Sequence, residues 1–251
     1  MKTAMHNLGH TRSSHQRDHL LHTPDTFVRS PLPGMTLGTA IVHVAPAVGA
    51  AFTQYTAELE PEGTLGSVGD TTAQRFVYVL EGSIDLATGT SFQTLNAGGY
   101  AYLPAATEHT VTARESSRLA VIEKIFQPLA GVVAPQVVVG KESSVPAVAL
   151  AGDIDLEVRT LLPHGPAIDF AVNTMSYQPG AALSMVEVHV MEHGLLMLEG
   201  GGIYRLGDAW YPVTAGDFIW MGPYCPQWFG ALGKKPAKYL IYKDWNRHPL
   251  S

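Results

Sequence analysis

Between residues 185 and 202 the sequence reads Met-Val-Glu-Val-His-Val-Met-Glu-His-Gly-Leu-Leu-Met-Leu-Glu-Gly-Gly-Gly, so Glu187, His189 and His193 put three possible metal ligands within seven residues. One carboxylate with two neutral imidazoles suits Mn, Fe, Ni or Zn, and suits Ca or Mg poorly. Glu187 and His189 are two apart, so on a β-strand they share a face. Val186, Val188 and Val190 then take the other face, and such alternation with β-branched residues is a strand signal. His193 lies four residues further on, far enough for the chain to turn back to the same pocket. Gly200 to Gly202 reads as a tight hairpin that closes the segment. The alternative is a set of ordinary polar residues on a strand. A charged Glu in an apolar interior is costly unless paired or metal-bound, which favours ligation.

Strands must position these residues. Residues 35–60 alternate and read as two strands. Gln74 to Leu80, Ser83 to Ala87, Ser91 to Leu95, Gly98 to Pro104 and Val111 to Phe126 continue the pattern, with turn signals between them. No convincing amphipathic helix interrupts this half, so a sandwich or barrel is expected. From Gln127 to Leu150 the composition shifts to Val, Ala, Pro and Gly, which reads as a crossover with one short strand, Gln136 to Val139. The pattern then returns. Leu80-Glu81-Gly82 recurs as Leu198-Glu199-Gly200, Ala97-Gly98 as Ala215-Gly216, and Tyr100 to Pro104 as Phe218 to Gly222. The offset is 118 each time (200 minus 82, 216 minus 98, 222 minus 104), which implies an internal duplication.

Gly180, then Glu187-x-His189-x3-His193, then Gly200, resembles the first motif of the cupin superfamily, with Glu187 at the usual first His and His193 at the usual Glu. Gly216, Gly222 and Gln227 resemble the second motif, with Gln227 where the last His normally stands. The resemblance implies an all-β fold of two duplicated cupin (double-stranded β-helix, jelly-roll) barrels, a bicupin. It also implies a fourth ligand, Gln227, and a ligand set of Glu187, His189, His193 and Gln227 that is uncommon among cupins. The expected organisation is an extended arm over 1–34, a first barrel over 35–130, a linker over 131–150 and a second barrel over 151–251. Subtracting 118 from the ligand positions gives Gly69, Thr71, Arg75 and His109, of which only His109 is an ordinary ligand. The first barrel is therefore expected to hold no metal, with His109 a remnant or a hydrogen-bonded core residue. Arg75 is left either salt-bridged in that pocket or facing solvent.

Composition narrows the function classes. Net charge is −6 with no basic stripe, which argues against nucleic acid or an anionic membrane as partner. No run of 18 apolar residues is present to span a bilayer. The start lacks the apolar core of a secretion signal, and the single cysteine fits a reducing compartment, so a cytoplasmic protein is expected. Only 15% of residues are charged, low enough to expect surface buried in a homo-oligomer. Five histidines (His6, His10, His15, His19, His22) crowd the first 25 residues without a repeated ligand spacing, and read as a polar arm rather than a metal-loading tail. His22 to Gly34 is too proline-rich for a helix and should run extended along a sheet or across a subunit boundary.

A closer resemblance is carried by Glu-Val-His-Val-Met-Glu-His-Gly from Glu187, Gly202-Ile203-Tyr204, Trp220 to Tyr224, and Tyr239 to Arg247, together with Thr23-Pro24-Asp25 through Pro33-Gly34. These resemble the (S)-ureidoglycine aminohydrolase family, manganese-dependent two-cupin hydrolases of allantoin and purine breakdown. The resemblance implies Mn²⁺, with Fe, Ni or Zn open, and a small ureido acid as substrate. It implies a pocket lined by Tyr204, Tyr239 and Lys243, with Lys243 and Glu187 as catalytic residues. Tyr239, Ile241 and Lys243 share parity on the last strand, so Tyr239 and Lys243 can face one cavity. The plainer reading of Lys243 is a snorkelling rim lysine, and of the tyrosines, barrel packing. Glu192 is expected to point away from the ligands. Cys225 shares parity with Gln227, which puts it near the metal or makes it a buried packing thiol. The rival functions are another metal-dependent cupin enzyme, a dioxygenase or sugar-acid isomerase, and a non-enzymatic binding or storage bicupin.

Overall fold

Alternating apolar residues and frequent Gly and Pro turns give a chain of short strands, with three 3-10 turns and no α-helix among the described residues. The structure is a computed structural model and describes residues 9–67 and 72–250. β1 (Ser14–His15) and β2 (His19–His22) lie on the N-terminal arm. The first half holds β3 (Met35–Val44), β4 (Thr53–Gly66), β5 (Ala73–Glu81), β6 (Ser83–Thr88), β7 (Ser91–Asn96), β8 (Gly99–Leu103), β9 (His109–Ala113) and β10 (Ser117–Ile125). β11 (Val138–Lys141) and β12 (Val148–Leu150) follow in the connecting stretch. The second half holds β13 (Asp153–Thr160), β14 (Phe170–Tyr177), β15 (His193–Glu199), β16 (Gly201–Leu206), β17 (Ala209–Thr214), β18 (Phe218–Met221), β19 (Gln227–Ala231) and β20 (Ala237–Asp244).

The first barrel is one antiparallel sheet, β11-β8-β5-β10-β4-β9-β6-β7, with β3 also on β4. It closes because the long β4 pairs with β10 along its first half and with β9 along its end. The second barrel has two walls, β1-β2-β18-β15-β20-β14-β13-β12 and β17-β16-β19. The duplication is visible strand by strand. Ser83–Thr88, Ser91–Asn96 and His109–Ala113 recur 118 residues on as Gly201–Leu206, Ala209–Thr214 and Gln227–Ala231. Register repeats as well, Arg75↔Leu103 becoming His193↔Met221.

Alternation sends every second side chain inward. Tyr55, Val77, Leu103 and Val121 fill the first barrel, and Met175, Leu195, Ile219 and Phe229 the second. The opposite faces of the same strands make a third core between the barrels, with Phe52, Phe76, Tyr102, Phe170, Trp220 and Tyr242. Burying each such side chain contributes on the order of 1.5–3 kcal/mol. The seam also holds a buried ion pair, Lys124 on the first barrel with Asp169 on the second, at 2.8 Å.

The N-terminal arm is part of the second barrel's wall. β2 pairs with β18 from Phe218↔His22 to Met221↔His19, and Arg12 makes a two-pronged contact (2.7 and 2.8 Å) with the buried Asp217. His6 lies outside the described residues.

Two expectations need correction. Residues 186–190 form no continuous strand. Bridges join Ala182 to Gly230 and Glu187 to Gln227, so the four residues 183–186 on one side face the two residues 228 and 229 on the other and the chain bends outward between them. Glycines 200 to 202 form no hairpin, because β15 and β16 belong to different walls. They make a corner between the walls, where Gly200 (φ 62°) has Pro236 O and Ala237 Cα where a Cβ would stand.

Candidate metal centre

The bend between Ala182 and Glu187 brings the predicted ligands to the barrel mouth. The bridge is closed by paired amides, Glu187 N–H to Gln227 O at 2.9 Å and Gln227 N–H to Glu187 O at 3.0 Å. Tyr224 N–H donates to His189 O at 2.7 Å, which ties the ligand loop to the segment before β19. Glu187 and His189 do share a face, with carboxylate and Nε2 3.9 Å apart. His193, at the start of β15, places its Nε2 3.3 Å from that of His189, and the Gln227 amide lies 2.9 Å from the same nitrogen. Val186, Val188 and Val190 point to the other face, which is solvent.

The donor chemistry fits a transition-metal ion. His189 Nδ1 lies 3.2 Å from Met191 O, so Nδ1–H donates there and Nε2 keeps a free lone pair. Burial, with the charge of Lys243, holds His193 neutral well below the usual histidine range. Contact with His189 keeps Glu187 ionised against the opposing effect of burial, helped by the charge of Lys243. The Gln227 amide presents oxygen instead of nitrogen after a half turn about its last bond. Glu187, its side chain 40% exposed, stands at the edge of the group.

Lys243 lies directly across from His193 on β20, and Tyr239 faces Met197 four residues earlier on the same side. Burial lowers the pKa of Lys243, with Glu187 opposing. Tyr204 is on the facing wall, its ring 5.4 Å from Phe229, which in turn lies 5.7 Å from Tyr239. Thus the four predicted ligands and Lys243 gather at the mouth, and both tyrosines line the floor below. Tyr177, absent from the sequence reading, bonds Tyr239 through their hydroxyls at 2.6 Å. Its parity with Met175 on β14 was the available signal. Burial keeps all three phenols protonated.

Glu192 points away from the ligands, into the seam between barrels. Its carboxylate accepts from Ala51 N–H (2.7 Å) and from the Trp220 indole (3.2 Å). Cys225 is buried but sits with Asp18 and His19, not among the four ligands, and burial pushes its thiol up to about 11.

In the first barrel Arg75 occupies the position of His193. Its guanidinium donates to His109 Nε2 (2.7 Å) and Gly66 O (2.7 Å) and pairs with Glu123 (2.8 Å), so it is salt-bridged in the pocket. His109 is a hydrogen-bonded core residue, its Nδ1–H donating to Thr107 O at 2.7 Å. Gly69 and Thr71 lie outside the described residues.

The chain resembles known proteins in sequence and in fold. A cupin-domain family matches residues 173–242, and an EutQ-like cupin domain matches residues 49–125. The chain is 44% identical over 243 residues to (S)-ureidoglycine aminohydrolase of Arabidopsis thaliana, covering 96% of this chain and 80% of that protein. It is 34% identical to (S)-ureidoglycine aminohydrolase of Escherichia coli strain K12, over 90% of this chain and 88% of that one. The crystal structure of protein Ylba from E. coli superposes with a TM-score of 0.86 at 29% identity, covering 98% and 99% of the two chains.

Proposed function

The chain belongs to the (S)-ureidoglycine aminohydrolase family of two-cupin proteins, and on that premise we propose that it is a hydrolase converting (S)-ureidoglycine and water to (S)-ureidoglycolate and ammonia, with Mn²⁺ as its ion. The observation that carries this reading is the convergence of Glu187, His189, His193 and Gln227 beside Lys243 at one barrel mouth. Those four residues would hold the ion, and a divalent cation there supplies Lewis acidity and an anchor for a small chelating substrate.

The chain's own residues account for the rest. Lys243 offers the substrate carboxylate an ammonium group. Glu187, kept ionised, serves as ligand and as proton acceptor at the mouth. Tyr204 and Tyr239 stay protonated and present hydroxyl donors to a polar ureido group. Their rings, with Tyr177 and Phe229, keep the floor apolar and dry. The first barrel serves as a metal-free scaffold, because the Arg75 guanidinium already puts a positive charge against His109.

The reading extends to a cytoplasmic homo-oligomer. Its support is the single, buried cysteine and the exposed apolar run of Met185, Val186, Val188 and Val190 beside the mouth, which the described residues leave uncovered. Ammonia release from freshly generated ureidoglycine tests the main claim, with the protein metal-free, Mn²⁺-loaded and as Glu187→Ala. Mn-dependent acceleration above spontaneous decay, lost in the variant and yielding the (S)-alcohol, is expected. No acceleration by metal-loaded protein would sink the substrate assignment.

A further inference from the structure

We propose that Asp18, His19 and Cys225 form a second metal site, separate from the barrel mouth, that takes a thiophilic divalent cation such as Zn²⁺. One carboxylate oxygen, one imidazole nitrogen and the sulfur all lie within 4.8 Å of one another. Thiolate, imidazole and carboxylate together are a zinc-type donor set. The residues come from opposite ends of the chain, and the pairing of β2 with β18 brings them together, with His19 opposite Met221.

Backbone hydrogen bonds hold the cluster's surroundings in place. Gly222 N–H donates to Asp18 O at 2.8 Å, and Gly207 N–H to Pro226 O at 2.8 Å. Position 207 has a positive φ of 58° and no side chain. A Cβ there would stand 3.6 Å from Asp18 Oδ2 and 3.9 Å from His19 Nδ1, so glycine leaves that flank open. His19 and Cys225 are buried, while the Asp18 side chain is 45% exposed, which leaves a solvent side for a water as fourth ligand.

The outer contacts also suit an ion. His19 Nδ1–H donates to Asp18 Oδ1 (2.8 Å) and Nε2 accepts from the Tyr211 hydroxyl (2.9 Å). On binding, the imidazole proton moves to Nε2 and donates to Tyr211, the partner that orients a ligating histidine. Nδ1 then gives its lone pair to the ion. The thiol gives up its proton to solvent, so one proton is released per ion bound. The ion pins the N-terminal arm to the loop before β19.

Cobalt substitution tests this on the full chain. Cys225 is the chain's one cysteine, so a near-ultraviolet thiolate-to-Co²⁺ absorption band can come from nowhere else. The band is expected in wild type and in Glu187→Ala, is bleached by added Zn²⁺, and is absent in Cys225→Ser and in His19→Gln. Zinc stoichiometry should fall by one ion per chain in each of the two cluster variants, with circular dichroism reporting that they are folded. Folded wild type that shows no band at saturating Co²⁺ overturns the proposal. So does a band that survives His19→Gln or vanishes in Glu187→Ala.

Discussion

Replacing Gly194 by alanine adds one carbon beside the proposed metal ligand His193, on the face of β15 that looks into the seam between barrels. That carbon would stand 2.5 Å from Gln54 Oε1 and 2.6 and 2.7 Å from Cζ and Cε2 of Phe52. Ordinary carbon contacts are about 3.5–4.0 Å, so the overlap approaches 1 Å. Neither neighbour can yield easily. Gln54 is fully buried, and the Phe52 ring is stacked on Tyr242 with centroids 4.0 Å apart. Overpacking of this kind costs about 1–3 kcal/mol. For a chain of this size each kcal/mol lowers Tm by roughly 2–4 °C, so Gly194→Ala should unfold about 2–12 °C earlier. If β15 yields instead, His193 moves with it and metal affinity falls. Thermal unfolding and metal titration of Gly194→Ala, Phe52→Leu and the double variant separate these effects. Phe52→Leu removes both crowding ring atoms, so the double variant should be more stable than the sum of the singles by more than about 0.5 kcal/mol. Additive losses would refute the steric account.

Three other predictions follow from buried charge. His43 is held neutral, its pKa pushed down to about 3 by burial with the charges of His22 and Arg118, while the unfolded chain takes that proton near 6.5. Between those values the unfolded state binds the extra proton, so stability is full above 6.5 and falls as pH drops, by about 2 kcal/mol at pH 5. Urea unfolding of His43→Phe should show a flatter pH dependence between 7 and 5, and an unchanged slope would disprove the assignment. Lys243→Met should lower kcat/KM for ureidoglycine by about 10²–10⁴-fold with metal content unchanged; full activity would remove Lys243 from the mechanism. Lys124→Met leaves the fully buried Asp169 without its cation and should cost about 3–5 kcal/mol in urea unfolding. Lys124→Met with Asp169→Leu should recover part of that loss, and no recovery would count against the ion pair as the cause.

Strand content, the duplication and the shared face of Glu187 and His189 were legible because each is a local property. Side chains alternate with period two, and a repeated sequence repeats its turns, as glycines 82 and 200 with φ 81° and 62° illustrate. Gln227 was not legible from spacing, since nothing local marks it as a ligand, and only the cupin resemblance raised it. The break at residues 183–186 escaped because valine alternation looks the same whether or not a partner strand runs alongside. Tertiary structure alone decided that Arg75 fills its pocket against His109 and Glu123, and that Glu192 reaches the other barrel. It also joined the N-terminal arm to β18 and so set His19 beside Cys225. Each of these depends on which strands become neighbours and in what register, and pairing energy is nearly indifferent to that choice until the whole core is packed.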